Sequence, residues 1–408
     1  MSKYNHFISE NIAPKNAKHI AVYNEQGNRV GKIPLGNLAF PKSEVKKYSF
    51  GALSDVHLSY TTGESDFITA LNYFNNTNPV DFICISGDLS DVGTDARLSR
   101  FAELVSAYSP NLPIYVSAGN HDAYDASHAI RPEAEVNTSM LTHTGNPLYY
   151  SFEYNNDVFI FVGICNGTFS QPELQWLYET LEANRNKRCF LFEHVFAFEG
   201  CGNAFGLYTY NLIDNTMGNV YKSLLRHYHN VIWFHGHSHT KFHGQEYNKM
   251  ANYDKVFGCH SVHVPSIAVP RTDADGDYEF QIEYQDSEGY VVDVYENGIH
   301  LRGRDFVARE FLSIASYWLD TTLQEIEEKT YVDPTGIINT SGSSGEEEEE
   351  APFVYTNVLA SATDASGNVL NGTGYKNSSR FSGYGGNMAQ DTSTSGYFTT
   401  GFIPYTNE

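Results

Sequence analysis

An apolar segment that ends in two histidines is the feature that most constrains how this chain can fold. Residues 231–234 are β-branched or aromatic, which predicts a strand buried on both faces. Gly236 allows the backbone to turn after this strand without a Cβ clash, and His237 and His239 follow it. Neutral imidazoles at the end of a strand are suited to binding a metal ion, although Gly-His-x-His also occurs in ordinary turns.

Four earlier apolar segments end in side chains of the same kind. The segments and their following side chains are 48–54 with Asp55 and His57, 81–86 with Asp88, 114–118 with Asn120, and 189–193 with His194. Taken singly, each motif is more often a turn, a helix cap or a core histidine. Ligands of open α/β sheets bind beyond the carboxyl ends of the strands, so we expect the whole set to meet in one crevice. On an extended backbone, residues two apart such as Asp55 and His57 would point the same way.

Amphipathic segments alternate with these strands, which indicates an α/β fold built in layers. The predicted helices cover residues 64–76, 94–108, 171–182 and 219–229. Further strands are predicted at 148–153, 158–164, 255–264, 278–284, 289–296 and 299–303. Residues 196–218 are predicted to form a loop over the site.

Composition divides the chain into four regions. We predict an N-terminal β extension over 1–46, the α/β domain over 47–330, an acidic Gly/Ser linker over 331–352 and a small β-rich module over 353–408. The five consecutive glutamates of the linker repel one another and stay solvated. The last module is short for an independent core without disulfides.

The overall charge disfavours several classes of partner. A net charge of -23 opposes nonspecific binding to nucleic acid or to an anionic membrane surface. No apolar run approaches the length of a membrane span, and the N-terminus lacks the apolar core of a signal peptide. The five cysteines include no CxxC pair, which fits a reducing compartment. These features predict a cytoplasmic location, with a phage particle or release by lysis as the alternative.

The donors at the strand ends favour a transition metal centre. Carboxylate, amide and imidazole ligands together suit Mn, Fe or Zn better than Ca or Mg. Seven donors exceed the needs of one ion, whereas with Asp88 shared they fill two sites of four protein ligands each. Two ions about 3.5–4 Å apart are suited to displacement at phosphorus by a hydroxide held between them. His121 follows Asn120 directly and is the expected general acid for the leaving group.

Together these motifs resemble the signatures of the calcineurin-like metallophosphoesterases. The resemblance covers about residues 48–305 and rests on Asp55-x-His57, Gly87-Asp88, Gly119-Asn120-His121-Asp122, His194 and Gly236-His237-x-His239. It implies a four-layer α/β/β/α sandwich. It also implies one metal ion held by Asp55, His57, Asp88 and His239, and a second held by Asp88, Asn120, His194 and His237. His121 is implied as the proton donor, paired with Asp91.

Positions at which this chain differs from the family pattern indicate which branch of the family it resembles. Family protein Ser/Thr phosphatases carry an arginine after the position of Asp91, where this chain has Val92, and purple acid phosphatases have a tyrosine ligand in place of Asp91. Residues 87–93 look more like the phosphodiesterase branch, which includes class III cyclic-nucleotide enzymes. Arg271 is either a phosphate contact or a surface arginine. Residues 353–408 weakly resemble modules of phage and bacterial surface proteins, which implies attachment or a carbohydrate or surface partner.

The sequence therefore predicts a dinuclear metal-dependent phosphoesterase, more a phosphodiesterase than a monoesterase, that acts on a phosphate-ester substrate. One alternative is a non-catalytic structural or adhesion protein, associated with a phage or a surface, that uses the fold as a scaffold. Another is a nuclease, which the acidic charge disfavours.

Overall fold

The computed structural model describes most of the chain between residues 45 and 340. The described residues are 19–23, 29–34, 45–60, 62–165, 168–195, 197, 201–202, 215–242, 252–272, 281–282, 286–323 and 330–340. The contacts divide the chain between residues 343 and 344. The glutamate run and the predicted C-terminal module lie outside the described residues, so their predicted roles stay predictions.

Strands and helices alternate through the first two thirds of the described chain, and strands alone follow. The helices are α1 (Gly63–Asn72), α2 (Asp95–Tyr108), α3 (Glu133–Thr144), α4 (Gln171–Ala183) and α5 (Thr216–His227), with a π-helical turn at Tyr73–Thr77 and a 3-10 turn at His121–Ala123. The strands are β1 (His19–Tyr23), β2 (Arg29–Pro34), β3 (Tyr48–Leu53), β4 (Phe82–Ser86), β5 (Ile114–Ser117), β6 (Tyr149–Tyr154), β7 (Asp157–Val162), β8 (Cys189–Phe192), β9 (Val231–His235), β10 (Tyr253–Val256), β11 (Cys259–His263), β12 (Arg271–Thr272), β13 (Gln281–Ile282), β14 (Glu288–Val294), β15 (Gly298–Asp305) and β16 (Glu310–Asp320). Within the described ranges, none of the helices is both long enough and apolar enough to cross a bilayer.

Two six-stranded mixed sheets carry the fold. The first has the strand order β16-β15-β14-β3-β4-β5, and the second has the order β10-β11-β9-β8-β7-β6. β3, β4 and β5 are parallel, as are β7, β8, β9 and β11, while the remaining pairs in both sheets are antiparallel. Parallel strands bring their carboxyl ends to one edge, which places the loops after β3, β4, β5, β8 and β9 where the sequence predicts the site.

The inner faces of the two sheets pack against each other through aromatic rings. Phe159 stacks on Phe190 with centroids 4.8 Å apart and meets Phe50 of the facing sheet edge-on at 5.4 Å. Each buried ring contributes about 1.5–3 kcal/mol through its removal from water. Helices α1, α2 and α3 cover the outer face of the first sheet, and α4 and α5 cover that of the second. The predicted four-layer α/β/β/α sandwich is therefore confirmed.

A buried ion pair joins the two sheets at the end opposite the predicted site. The Arg188 guanidinium donates two hydrogen bonds to the Asp157 carboxylate, at 3.0 and 2.6 Å. Tyr48 of β3 donates to the same carboxylate at 2.7 Å, and Arg188 also donates to Thr321 Oγ1 at 2.8 Å. Bidentate geometry and full satisfaction of the donors allow such a pair to be buried.

Several predicted elements differ from the structure. Within the predicted N-terminal β extension, the described residues form an antiparallel pair of β1 and β2. A single strand was predicted over 255–264, but the structure has a hairpin of β10 and β11 there. The chain reverses direction at Phe257 and Gly258, which both have a positive φ. α3 and β16 were not predicted. Most of the loop predicted over 196–218 lies outside the described residues.

Candidate metal centre

The loops after β3, β4 and β9 bring together a first group of donors. Asp55, His57, Asp88 and His239 each offer one ligand atom, and these atoms lie within 4.8 Å of one another. His239 Nε2 is 3.0 Å from Asp55 Oδ1 and 3.2 Å from His57 Nε2. These are the four residues predicted to hold the first ion.

A second group lies on the other side of Asp88. His194 Nε2 is 2.9 Å from Asp88 Oδ2, and His237 Nδ1 is 3.3 Å from His194 Nε2. Asn120 lies on the adjacent loop after β5, and its Oδ1 is buried and accepts no hydrogen bond from the described residues. An acceptor left without a donor in a buried site is suited to binding a cation.

Asp88 belongs to both groups through one oxygen. Oδ2 lies 2.9 Å from His194 Nε2 and 3.5 Å from His57 Nε2. The other oxygen, Oδ1, accepts the His121 backbone N–H at 2.9 Å. The backbone thus fixes the carboxylate so that the same oxygen faces both donor groups, which is the arrangement predicted for a bridging ligand.

Backbone groups also orient the other ligands. The Asp55 carboxylate accepts the His237 backbone N–H at Oδ2, at 3.1 Å, which leaves Oδ1 facing the histidines. His194 Nδ1 donates to Ser86 O at 2.6 Å, and His239 Nδ1 donates to Val269 O at 3.0 Å. Both imidazoles therefore hold their hydrogen away from the cluster and direct Nε2 into it, as is usual for metal-binding histidines.

The backbone of these loops is left-handed rather than extended. Positive φ angles occur at Asp55 (52°), His57 (39°), Asp88 (53°), His237 (69°) and His239 (59°). The extended geometry expected for Asp55 and His57 is therefore wrong. A left-handed non-glycine residue costs of the order of 1 kcal/mol and persists only when the surroundings impose it.

A buried carboxylate supplies part of that constraint. Asp122 accepts the Leu89 backbone N–H at 3.0 Å and the Gly119 backbone N–H at 2.9 Å. It thereby connects the loop that carries Asp88 with the loop that carries Asn120. The sequence analysis names Asp122 in the motif but assigns it no role. Its position directly after His121 was the feature of the sequence that could have indicated one.

The electrostatic environment favours the metal-binding protonation state at most of these side chains, with His194 as the exception. Burial lowers the pKa of His194, but the Asp88 and Asp55 carboxylates raise it to about 10, so a metal ion bound there would replace a proton. Burial would raise the pKa of Asp55, but the adjacent His239 and His194 lower it well below its usual value. Burial lowers the pKa of His57 and of His237 to about 3, so both imidazoles are neutral. Ionised carboxylates and neutral imidazoles are the forms that bind metals.

The donor set fits a transition metal centre. Separations near 3 Å between donor atoms match neighbouring ligands on one ion with bonds of about 2.1 Å. Mixed carboxylate, amide and imidazole donors favour Mn, Fe or Zn over Ca or Mg.

His121 lies at the edge of the cluster without belonging to either donor group. Its ring centroid is 4.8 Å from that of His57. His121 Nδ1 donates to the backbone carbonyl of Asp91 at 2.9 Å, and the nearer carboxylate oxygen of Asp91 lies 3.5 Å away. Burial lowers the pKa of His121, but Asp88, the Asp91 carbonyl and the Asp91 carboxylate together raise it above its usual value.

Arg271 is the remaining residue that the sequence places near the site. It is half-buried at the start of β12, and its backbone N–H donates to His239 O at 2.8 Å. Burial lowers the pKa of His239, and the charge of Arg271 adds to that lowering. The backbone of Arg271 thus lies beside a candidate ligand, and its predicted phosphate contact stays a prediction.

Comparison with known proteins identifies similar chains. The sequence model of a family described as calcineurin-like phosphoesterase matches residues 48–241, just under half of the chain. A transmembrane protein with metallophosphoesterase domain from Danio rerio is 40% identical over 74 residues, which are 18% of this chain and 16% of that protein. A probable cyclic nucleotide phosphodiesterase from Fibrobacter succinogenes is 25% identical over 162 residues, 37% of this chain and 58% of that protein. This chain therefore spans less than two thirds of either relative.

Two solved structures are similar at low identity. The NAD nucleotidase of Haemophilus influenzae has a TM-score of 0.33 and 12% identity, covering 65% of this chain and 53% of its own. Vps29 of Chaetomium thermophilum has a TM-score of 0.28 and 10% identity, covering 64% of this chain and 89% of its own.

Proposed function

We propose that this chain, whose residues 48–241 belong to the calcineurin-like phosphoesterase family, is a phosphodiesterase that uses two transition metal ions. The observation that carries the proposal is the single oxygen, Asp88 Oδ2, that faces both donor groups. A carboxylate that faces both donor groups would hold two metal ions side by side, within reach of one phosphate.

Each ion would be held by four residues. Asp55, His57, Asp88 and His239 would bind one, and Asp88, Asn120, His194 and His237 the other. When bound, Mn, Fe or Zn ions at these positions supply Lewis-acid polarisation of the phosphoryl oxygens and lower the pKa of water.

His121 would donate the proton to the leaving oxygen. Its Nδ1 is held by the Asp91 carbonyl, so Nε2 is the nitrogen that faces a substrate bound at the cluster. Asp88 and Asp91 favour the protonated imidazole that a general acid needs. Asp91 would orient His121 through its carbonyl and its carboxylate.

A diester rather than a monoester is supported by two observations. Residues 87–93 lack the arginine of the family protein phosphatases and the tyrosine ligand of the purple acid phosphatases. The relative from Fibrobacter succinogenes carries the name of a phosphodiesterase. Arg271, beside His239, is the candidate contact for a substrate phosphate.

The test compares a diester with a monoester as substrates. Protein stripped of metal and reloaded with Mn, Zn, Fe or Mg would be assayed with bis-p-nitrophenyl phosphate and with p-nitrophenyl phosphate. We expect metal-dependent turnover that favours the diester, and loss of that turnover in Asp88→Asn and His237→Ala. Full activity in either variant with correct metal content would show that the site is wrong, and preference for the monoester would reject the diesterase.

The alternatives predict other results. A scaffold protein would bind metals without turning over any phosphate ester, and a nuclease would show a substrate affinity that falls steeply with salt. A carbohydrate or surface partner for residues 353–408, and a cytoplasmic or phage location, stay predictions.

A further inference from the structure

A second histidine lies against the carboxylate of Asp91, on the side away from His121. His128 Nε2 is 3.6 Å from Asp91 Oδ2, while His121 Nδ1 is 3.5 Å from Asp91 Oδ1. The carboxylate thus lies between two imidazoles, one at the metal centre and one at the surface, where the His128 side chain is 57% exposed. Each carboxylate oxygen faces a different ring.

The loop that carries His128 is held in a defined conformation. His128 has a φ of 61°, which a non-glycine residue adopts only when the surroundings impose it. Asp125 imposes it by hydrogen bonds within the loop: its carbonyl accepts the His128 N–H at 3.0 Å, and its Oδ1 accepts, among others, the N–H groups of Ser127 at 2.7 Å and Ala129 at 3.0 Å.

The same loop is tied to the segment that carries Asp91. The Gly93 backbone N–H donates to Tyr124 O at 2.8 Å, and the Arg131 guanidinium donates to Gly93 O. Tyr124 itself lies between the two histidines, with ring centroids 5.3 Å from His121 and 6.1 Å from His128. His128 is therefore kept beside Asp91 by a backbone contact at one end of its loop and a side-chain contact at the other.

We infer that His128 is a positioning residue: it holds the Asp91 carboxylate against His121 and so orients His121 toward the leaving group. This inference rests on the proposed function. Without His128, the Asp91 carboxylate, whose side chain is 28% exposed, is free to rotate into solvent, and His121 keeps only its bond to the Asp91 carbonyl. A surface histidine pair without this role would contribute at most about 1 kcal/mol of stability and nothing specific to the reaction.

The dependence of rate on the leaving group separates these two roles. Phenolate needs a proton in the transition state far more than p-nitrophenolate does, so a poorly oriented acid slows diphenyl phosphate selectively. We expect His128→Ala to lower kcat for diphenyl phosphate about 10-fold, a part of what general acid catalysis contributes, and to change kcat for bis-p-nitrophenyl phosphate less than about twofold. His128→Gln, whose amide nitrogen can replace Nε2 beside the carboxylate, is expected to restore the rate.

His143 provides a matched control. Its Nε2 lies 3.3 Å from Asp95 Oδ1, in a pair between α2 and α3 that includes no residue of the site. His143→Ala should leave both rates unchanged. Equal losses with both substrates in His128→Ala, no loss with either, a change in KM alone, or failure of His128→Gln to recover would overturn the inference.

A crystal structure of His128→Ala tests the inference independently of turnover. The Asp91 carboxylate should turn away from His121 Nδ1, and an unchanged carboxylate and ring would overturn the inference. If the metal-loaded wild type hydrolyses neither diester, the proposed function fails, while this structure still decides whether His128 positions Asp91.

Discussion

Replacing Gly119 by alanine should damage the metal centre without removing a ligand. A Cβ on Gly119 would lie 2.1 Å from Asp88 Oδ1 and 2.6 Å from the Asp88 backbone nitrogen. Real Cβ atoms essentially never approach other atoms within 3.0 Å, so Asp88 or the loop must move by roughly 1 Å. The backbone nitrogen cannot rotate aside as a side chain would, so the carboxylate shared by both donor groups is displaced.

The magnitude follows from that displacement. Overpacking of this kind costs about 1–3 kcal/mol of folding free energy. A misplacement of about 1 Å in a catalytic group lowers the rate about 100-fold. We therefore expect Gly119→Ala to retain its fold, bind less metal than the wild type, and lose about two orders of magnitude in kcat for bis-p-nitrophenyl phosphate.

Metal content by mass spectrometry, urea denaturation and steady-state kinetics would measure the three effects. Gly145→Ala is the control, because a Cβ there meets nothing within 4 Å although φ is +75°. It should cost about 1 kcal/mol of stability and leave metal content and rate unchanged. Wild-type metal content and rate in Gly119→Ala would refute the reasoning.

Three further predictions concern stability. Arg188→Met leaves the buried Asp157 carboxylate without its cation. It should lower the free energy of unfolding, measured by urea denaturation, by about 3–5 kcal/mol. A loss below about 1 kcal/mol would contradict the role assigned to the ion pair. Burial raises the pKa of Glu288 to about 8 in the folded protein. The stability that this carboxyl group contributes is therefore present below its pKa of about 4.3 in the unfolded chain, and it is lost as pH rises toward 8. Glu288→Gln should therefore gain stability relative to the wild type between pH 5 and pH 8, and a constant difference in melting temperature across that range would count against this. Removing the metal with a chelator should lower the melting temperature of the metal-loaded protein, and adding Mn should restore it. A melting temperature that neither treatment changes would contradict a metal centre.

The strands that carry the candidate ligands are predictable because each is short, apolar and followed directly by donors. The five predicted segments agree with β3, β4, β5, β8 and β9 within one residue at either end. The sequence of a buried strand contains almost no polar residue, so the first carboxylate or imidazole indicates where the strand ends. The order of these strands and their donors was sufficient to predict the family whose model matches residues 48–241 and the four-layer fold.

Elements with weak periodicity are less predictable. α3 buries Val136, Ser139 and Met140 at helical spacing, but one of the three is polar and the apolar Leu141 is exposed, so the apolar stripe in the sequence is weak. The reversal between β10 and β11 places Phe257 at a φ of 55°, which no local pattern indicates for a phenylalanine. In both cases packing against other elements decides the conformation.

The sequence by itself therefore determines which residues are available as ligands, because they directly follow the apolar strands. Only the tertiary structure decides how these residues are used. It turns Asp88 Oδ2 toward both donor groups, bonds His121 to the carbonyl of Asp91 rather than to its carboxylate, and brings His128 against that carboxylate. These contacts join residues that lie far apart in the chain. The packing of the two sheets fixes where neighbouring loops meet, and it therefore determines the distances and orientations of these residues.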